Sequence, residues 1–101
     1  MAIYVDFANV SFRGDRWCHL LADSLDELHE FASLIGVSRC WFHRNASYPH
    51  YDITVRTRQT AIIRGAIPSD RKKIIECAKK LKLELDYEYP LSYKTMQLKL
   101  F

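Results

Sequence analysis

A chain of 101 residues, 49% hydrophobic and 27% charged, has the size and composition of one globular domain and falls outside the disordered and fibrous classes. No apolar run approaches the roughly 20 residues that span a bilayer, and residues 1–6 lack the charged start and long apolar stretch of a signal peptide. The net charge of +3 neither demands nor excludes nucleic acid or an anionic ligand, but residues 56–82 are strongly basic, with only Asp70 and Glu76 opposing nine Arg and Lys. Cys18, Cys40 and Cys77 are odd in number and widely spaced, which fits neither a disulfide framework nor a CxxC metal site. A cytoplasmic protein with reduced thiols is expected.

In chain order, residues 3–5 read as a short strand ending at Asp6, and residues 17–22 as a second one. No helix fits between them, so they pair antiparallel. Ser24 and Glu27 make a capping box for a helix whose apolar stripe is Leu25, Leu28, Phe31, Ala32 and Ile35 and whose stop is Gly36. Residues 37–43 return as a strand, closing a right-handed β-α-β unit. Residues 44–49 form a loop, His50-Tyr51-Asp52 follows it, and Asp52 or Thr54 caps a second helix that ends at Gly65. Residues 66–67 make a short strand, Pro68 ends it, and Ser69 caps a third helix with Ile74, Ile75, Ala78 and Leu81 facing inward.

Residues 83–89 alternate apolar with acidic side chains, the pattern of a half-buried strand closed by Pro90. Residues 91–101 are too apolar for a solvated tail and are expected to form another strand or to dock on a second copy in a homo-oligomer. The expected architecture is a single α/β domain over 1–101: a mixed, mostly parallel sheet of four to five strands carrying three helices.

The opening Ile3-Tyr4-Val5-Asp6, the block of residues 18–24, the run of residues 27–32, Trp41-Phe42, His50-Tyr51-Asp52, and Arg58 with Gly65-Ala66 resemble a small bacterial and phage family, the domain of unknown function numbered four thousand and thirty-one. The resemblance covers residues 1–75 and leaves the C-terminal strand and extension, 82–101, outside it. It implies a bacterial or phage setting and no assigned activity. Phe7 stands where members usually carry aspartate or proline, His43 where glutamine is common, and Thr57 where a lysine often precedes Arg58.

Polar chemistry gathers at two places. His50, Tyr51 and Asp52, read as the N-terminus of the second helix, offer free backbone N–H groups and a positive dipole end to an anion, with Arg58 supplying a guanidinium fork. The bland alternative is that Asp52 only caps the helix while Tyr51 packs. His19 and Asp23, four apart near the carboxyl end of the second strand, are expected to meet the same site. A His/Asp pair there suits general base work, and two imidazoles with a carboxylate suit a divalent ion. No HxH or HxxxH spacing favours a metal, so none is assigned. Asp6 has both a structural and a functional reading. No GxSxG elbow or phosphate-binding glycine loop is present.

These residues point to a protein that binds a phosphorylated small molecule or nucleotide through His19, Asp23, His50, Tyr51, Asp52 and Arg58. The alternatives are a small phosphoester hydrolase using the same residues, and an accessory protein that binds nucleic acid or a host protein through Lys72, Lys73, Lys79 and Lys80, with Trp17, Trp41 and Tyr48 stacking on bases.

Overall fold

The structure, a computed structural model, describes residues 2–44, 46 and 48–88. Expectations for residues 89–101 lie outside the described residues. Six strands and three helices follow in the order β1 (Ile3–Val5), β2 (Val10–Phe12), β3 (Asp15–Ala22), α1 (Leu25–Leu34), β4 (Phe42–His43), β5 (His50–Thr54), α2 (Val55–Ile63), β6 (Ile67–Pro68) and α3 (Arg71–Glu88). The sheet runs β4-β5-β3-β1-β6, with β2 paired to β3. No described helix is long and apolar enough to cross a membrane.

The α/β class holds, but the sheet is mostly antiparallel where the sequence suggested mostly parallel. Only β1 and β6 run parallel; β1–β3, β2–β3, β3–β5 and β4–β5 are all antiparallel. Connection length explains the difference. A parallel crossover needs a dozen or more residues, and residues 44–49 between β4 and β5 are too few, so those strands close as a hairpin. β5 then inserts between β3 and β4 and splits the expected β-α-β unit.

Residues 7–16, between the two expected strands, hold β2 and a tight turn. Arg13 and Gly14 adopt φ of 50° and 75°, the two consecutive positive values that a type I′ hairpin turn requires. Of the expected strand 37–43, only Phe42–His43 pairs as strand. Ser38 accepts the Cys40 N–H through its side chain and winds residues 39–41 into a 3₁₀ turn.

α1 starts as its sequence indicates, with Ser24 Oγ accepting from Glu27 N at 3.2 Å. Glu84 of α3 accepts the Leu25 N–H at 3.0 Å, satisfying a second free donor of that first turn. Ser69 does not cap α3. It is buried, its N–H donates to Val5 O, and Asp70 caps instead, accepting from Lys73 N at 2.9 Å.

Residues 83–88 continue α3 where a strand was expected. Leu85, within the alternation L-E-L-D-Y-E, also lies four residues after Leu81, and at helical spacing Ile74, Cys77, Ala78, Leu81 and Leu85 form one buried stripe. Leu83 and Tyr87 then point outward, 71% and 88% exposed. Lys82 and Asp86 face each other one turn apart at 3.9 Å.

The apolar core includes Val5, Leu20, Leu21, Leu28, Ile53 and Leu81. Alternation along β3 and β5 sorts side chains between the two faces of the sheet. Cys18, Leu20, Tyr51 and Ile53 are buried, whereas Trp17, His19, His50 and Asp52 are only partly so. The site occupies that second face.

Candidate metal centre

β5 sets the site. His50, Asp52 and Thr54 share one face while Tyr51 and Ile53 are buried on the other, so residues 50–52 form a strand and not the mouth of a helix. Thr54 takes the capping role, accepting from Thr57 N at 3.1 Å. Asp52 is thereby released from capping, and the helix-terminus anion cradle expected around it is not formed.

Across the ladder His19 is the direct partner of Asp52, and His43 that of His50. Three imidazoles therefore surround one carboxylate. His50 Nε2 lies 3.1 Å and His19 Nε2 3.8 Å from Asp52 Oδ1, while His43 Nε2 lies 2.9 Å from Oδ2. The His43 and His50 rings are stacked, and the His19 and His50 rings meet edge to face. One donor atom each from His19, His50 and Asp52 fits within 4.8 Å of the others.

Each member is held from outside. The Asp6 Oδ2 contact with His19 Nδ1 is 2.6 Å, and Asp6 Oδ1 accepts backbone N–H groups of His19 at 2.9 Å and Ala8 at 3.2 Å. The hydrogen bond to Asp6 raises the His19 pKa, although burial opposes it. Burial pushes the Asp6 carboxyl up, but the His19 side-chain and backbone bonds outweigh it and leave the group below its usual range.

His50 Nδ1–H donates to Tyr48 O at 2.8 Å, since a carbonyl can only accept. Burial lowers the His50 pKa, which favours the neutral ring. A neutral ring protonated at Nδ1 turns a bare Nε2 lone pair toward Asp52 Oδ1, itself an acceptor. That contact suits a shared cation.

The structure thus brings together His19, His50 and Asp52 from the sequence reading and leaves three other residues apart. Asp23 lies four residues beyond His19, about 13 Å of strand rise. It accepts from Tyr4 Oη at 2.9 Å and Ala2 N at 2.8 Å. Those bonds more than offset burial and hold its carboxyl below the usual range. Tyr51 is buried on the opposite face, where its Oη hydrogen-bonds His29 Nδ1 at 2.9 Å. Arg58 stands behind the Asp6 loop: Nε donates to Asp6 O at 2.9 Å, the guanidinium carbon lies 5.0 Å from the Phe7 ring centroid, and Nη2 is buried without a hydrogen bond.

Sequence reasoning did not join Asp6 or His43 to the site. The antiparallel β1–β3 pairing, carried one residue past Val5↔Leu20, would have set Asp6 opposite His19. A β4–β5 hairpin would likewise have set His43 beside His50. Cys18 and Cys77 offer no nucleophile, since burial pushes their thiols up to about 12 and about 11.

Two cavities meet at His19. One, of ≈ 340 Å³, is bounded by Tyr48, His50 and the Ile74–Ala78 turn of α3; the other, of ≈ 330 Å³, is lined by Val10, Phe12, Trp17, Trp41, His43 and Asp52.

A family model described as "Protein of unknown function (DUF4031)" matches residues 3–81. No curated protein and no solved structure matches the chain.

Proposed function

The chain belongs to the DUF4031 family, and we propose that it is a small metal-dependent hydrolase, with one divalent transition ion held by His19, His50 and Asp52 and directed at a phosphorylated small molecule or nucleotide. The observation that carries this reading is the 3.1 Å approach of His50 Nε2 to Asp52 Oδ1 while Nδ1 of the same ring is committed to Tyr48 O. Two donor atoms each about 2.1 Å from one ion, at angles between octahedral and tetrahedral, stand about 3.0–3.4 Å apart. The His19 arm is wider, with Nε2 3.8 Å from Asp52 Oδ1.

Outer partners strengthen the case. Metal-binding imidazoles usually donate their second N–H to a carboxylate or carbonyl, and ligating carboxylates are themselves hydrogen-bonded. Asp6, Tyr48 O and His43 fill those three roles for His19, His50 and Asp52. Two imidazoles and one carboxylate suit zinc, iron(II), manganese or cobalt, and three protein ligands leave positions open for water and substrate. The ion would act as a Lewis acid and lower the pKa of a bound water. It would also supply the positive charge for a phosphate that the sequence reading sought in Arg58. The free thiols of Cys18, Cys40 and Cys77 fit a reducing cytoplasm, that of a bacterium or a phage host.

Calorimetric titration of chelator-treated protein with Zn²⁺, Mn²⁺ and Co²⁺ tests the reading, with turnover of a generic phosphoester followed alongside. One equivalent should bind, and His50→Ala and Asp52→Asn should each abolish binding and turnover while keeping the native circular dichroism spectrum. Absence of stoichiometric binding by all three ions would sink it.

A further inference from the structure

The second cavity at the site has a composition that metal binding does not require. Val10 and Phe12 sit on a three-residue strand, each 54% exposed, and their register with β3 puts both on the Trp17 side of the hairpin. Trp17 is fixed in orientation because its Nε1 donates to Phe12 O at 2.9 Å. Trp41, from the 3₁₀ turn, meets it with ring centroids 5.0 Å apart and planes tilted by 36°. These apolar walls end on a polar floor of Asp52, a member of the metal triad, and His43, which borders it.

Wall and floor together restrict the occupant. An aliphatic chain would suit the walls but leave the floor's nitrogen and oxygen atoms buried against hydrocarbon. A flat heteroaromatic ring satisfies both, since its faces stack on indole and phenyl rings while its edge carries donors and acceptors. The volume of ≈ 330 Å³ lies at the small end of ligand cavities.

We infer that this groove is a nucleobase subsite, and that the substrate class of the centre is a nucleoside phosphate with its base between Phe12 and Trp41. The inference rests on the metal reading for where the phosphate goes, but the base subsite stands on the groove alone.

The chain has two tryptophans, and both line the groove, so fluorescence excited at the indole edge reports on this cavity. The test titrates adenosine, cytidine, AMP and ribose 5-phosphate into the intact chain, once with Zn²⁺ and once with EDTA. Nucleosides should quench saturably under both conditions, and AMP should bind more tightly when Zn²⁺ is present. Ribose 5-phosphate should leave the emission unchanged. Trp41→Ala and Phe12→Ala, both at exposed positions, should each weaken AMP at least about fivefold, the loss expected for one stacked base. Calorimetric Zn²⁺ affinity should stay at the wild-type value.

Full AMP affinity in both variants would overturn the subsite, as would ribose 5-phosphate binding as tightly as AMP. A tryptophan signal that follows protein concentration, with a doubled mass in sedimentation, would also overturn it by assigning the groove to a second copy. The two readings fail separately. Zn²⁺ binding without nucleoside quenching removes only the subsite, whereas nucleoside quenching without Zn²⁺ binding removes only the metal.

Discussion

His19 and Asp52 face each other across β3 and β5 as direct ladder partners, with the imidazole Nε2 3.8 Å from the carboxylate Oδ1. One pairing register therefore builds the site. A slip of one residue would turn Asp52 to the buried face and bring Tyr51 or Ile53 among the imidazoles.

Asp6 should act on the metal through His19. Asp6→Asn keeps the shape and removes the charge, and loss of such an outer partner typically weakens metal affinity 10–100-fold. Competition against a chromogenic chelator measures this. In the metal-free protein the same change should return the His19 titration toward the ordinary imidazole range, seen by NMR.

His43 should position Asp52 without itself being a ligand. His43→Ala frees Oδ2 and should weaken metal binding, while His43→Gln, whose amide also donates, should recover most of it. An equal loss in both variants would instead make His43 a ligand. Cobalt(II) absorption spectra separate the two outcomes.

The Asp6–His19 pair should give metal-free stability a defined pH window. The folded Asp6 pKa is lowered, so its contribution is present above the unfolded carboxylate pKa and is lost as pH falls through the folded value. The folded His19 pKa is raised, so its contribution is full below the unfolded imidazole pKa and is lost as pH rises through the folded one. Urea denaturation across pH should show a plateau between these limits, flattened in Asp6→Asn.

The C-terminal half of α3 should separate inward from outward leucines. Leu85 is 4% exposed and Leu83 71%. Leu85→Ala should cost about 2–5 kcal/mol of folding stability, and Leu83→Ala within about 0.5 kcal/mol either way. A strand over these residues would make their costs alike, since both would lie on one face.

Tyr51→Phe should cost about 1 kcal/mol by removing the bond to His29. Zn²⁺ affinity should not change, because Tyr51 lies on the far face of β5 from its neighbours His50 and Asp52. Thermal melts and calorimetry on one preparation read both quantities.

Local signals in the sequence were enough for α1, for the antiparallel pairing of β1 with β3 and for the presence of three helices. Ser24, Glu27 and Gly36 act within a few residues of their targets, and the apolar stripe of α1 repeats within a single helix. The residues of the site were partly legible for the same reason: His19, His50 and Asp52 are polar side chains among apolar neighbours.

Tertiary structure decided which of them meet. The alternation at 83–88 fitted a strand until the core claimed Leu81 and Leu85 together, and residues 50–52 fitted a helix mouth until β3 offered them a ladder. Asp6 and His43 entered the site through strand register, Tyr51 left it by the alternation along β5, and Asp23 by its distance along the chain from His19. Register is fixed by burying one face of β3 and β5 against the helices, a contact between residues far apart in the chain that no window of sequence contains.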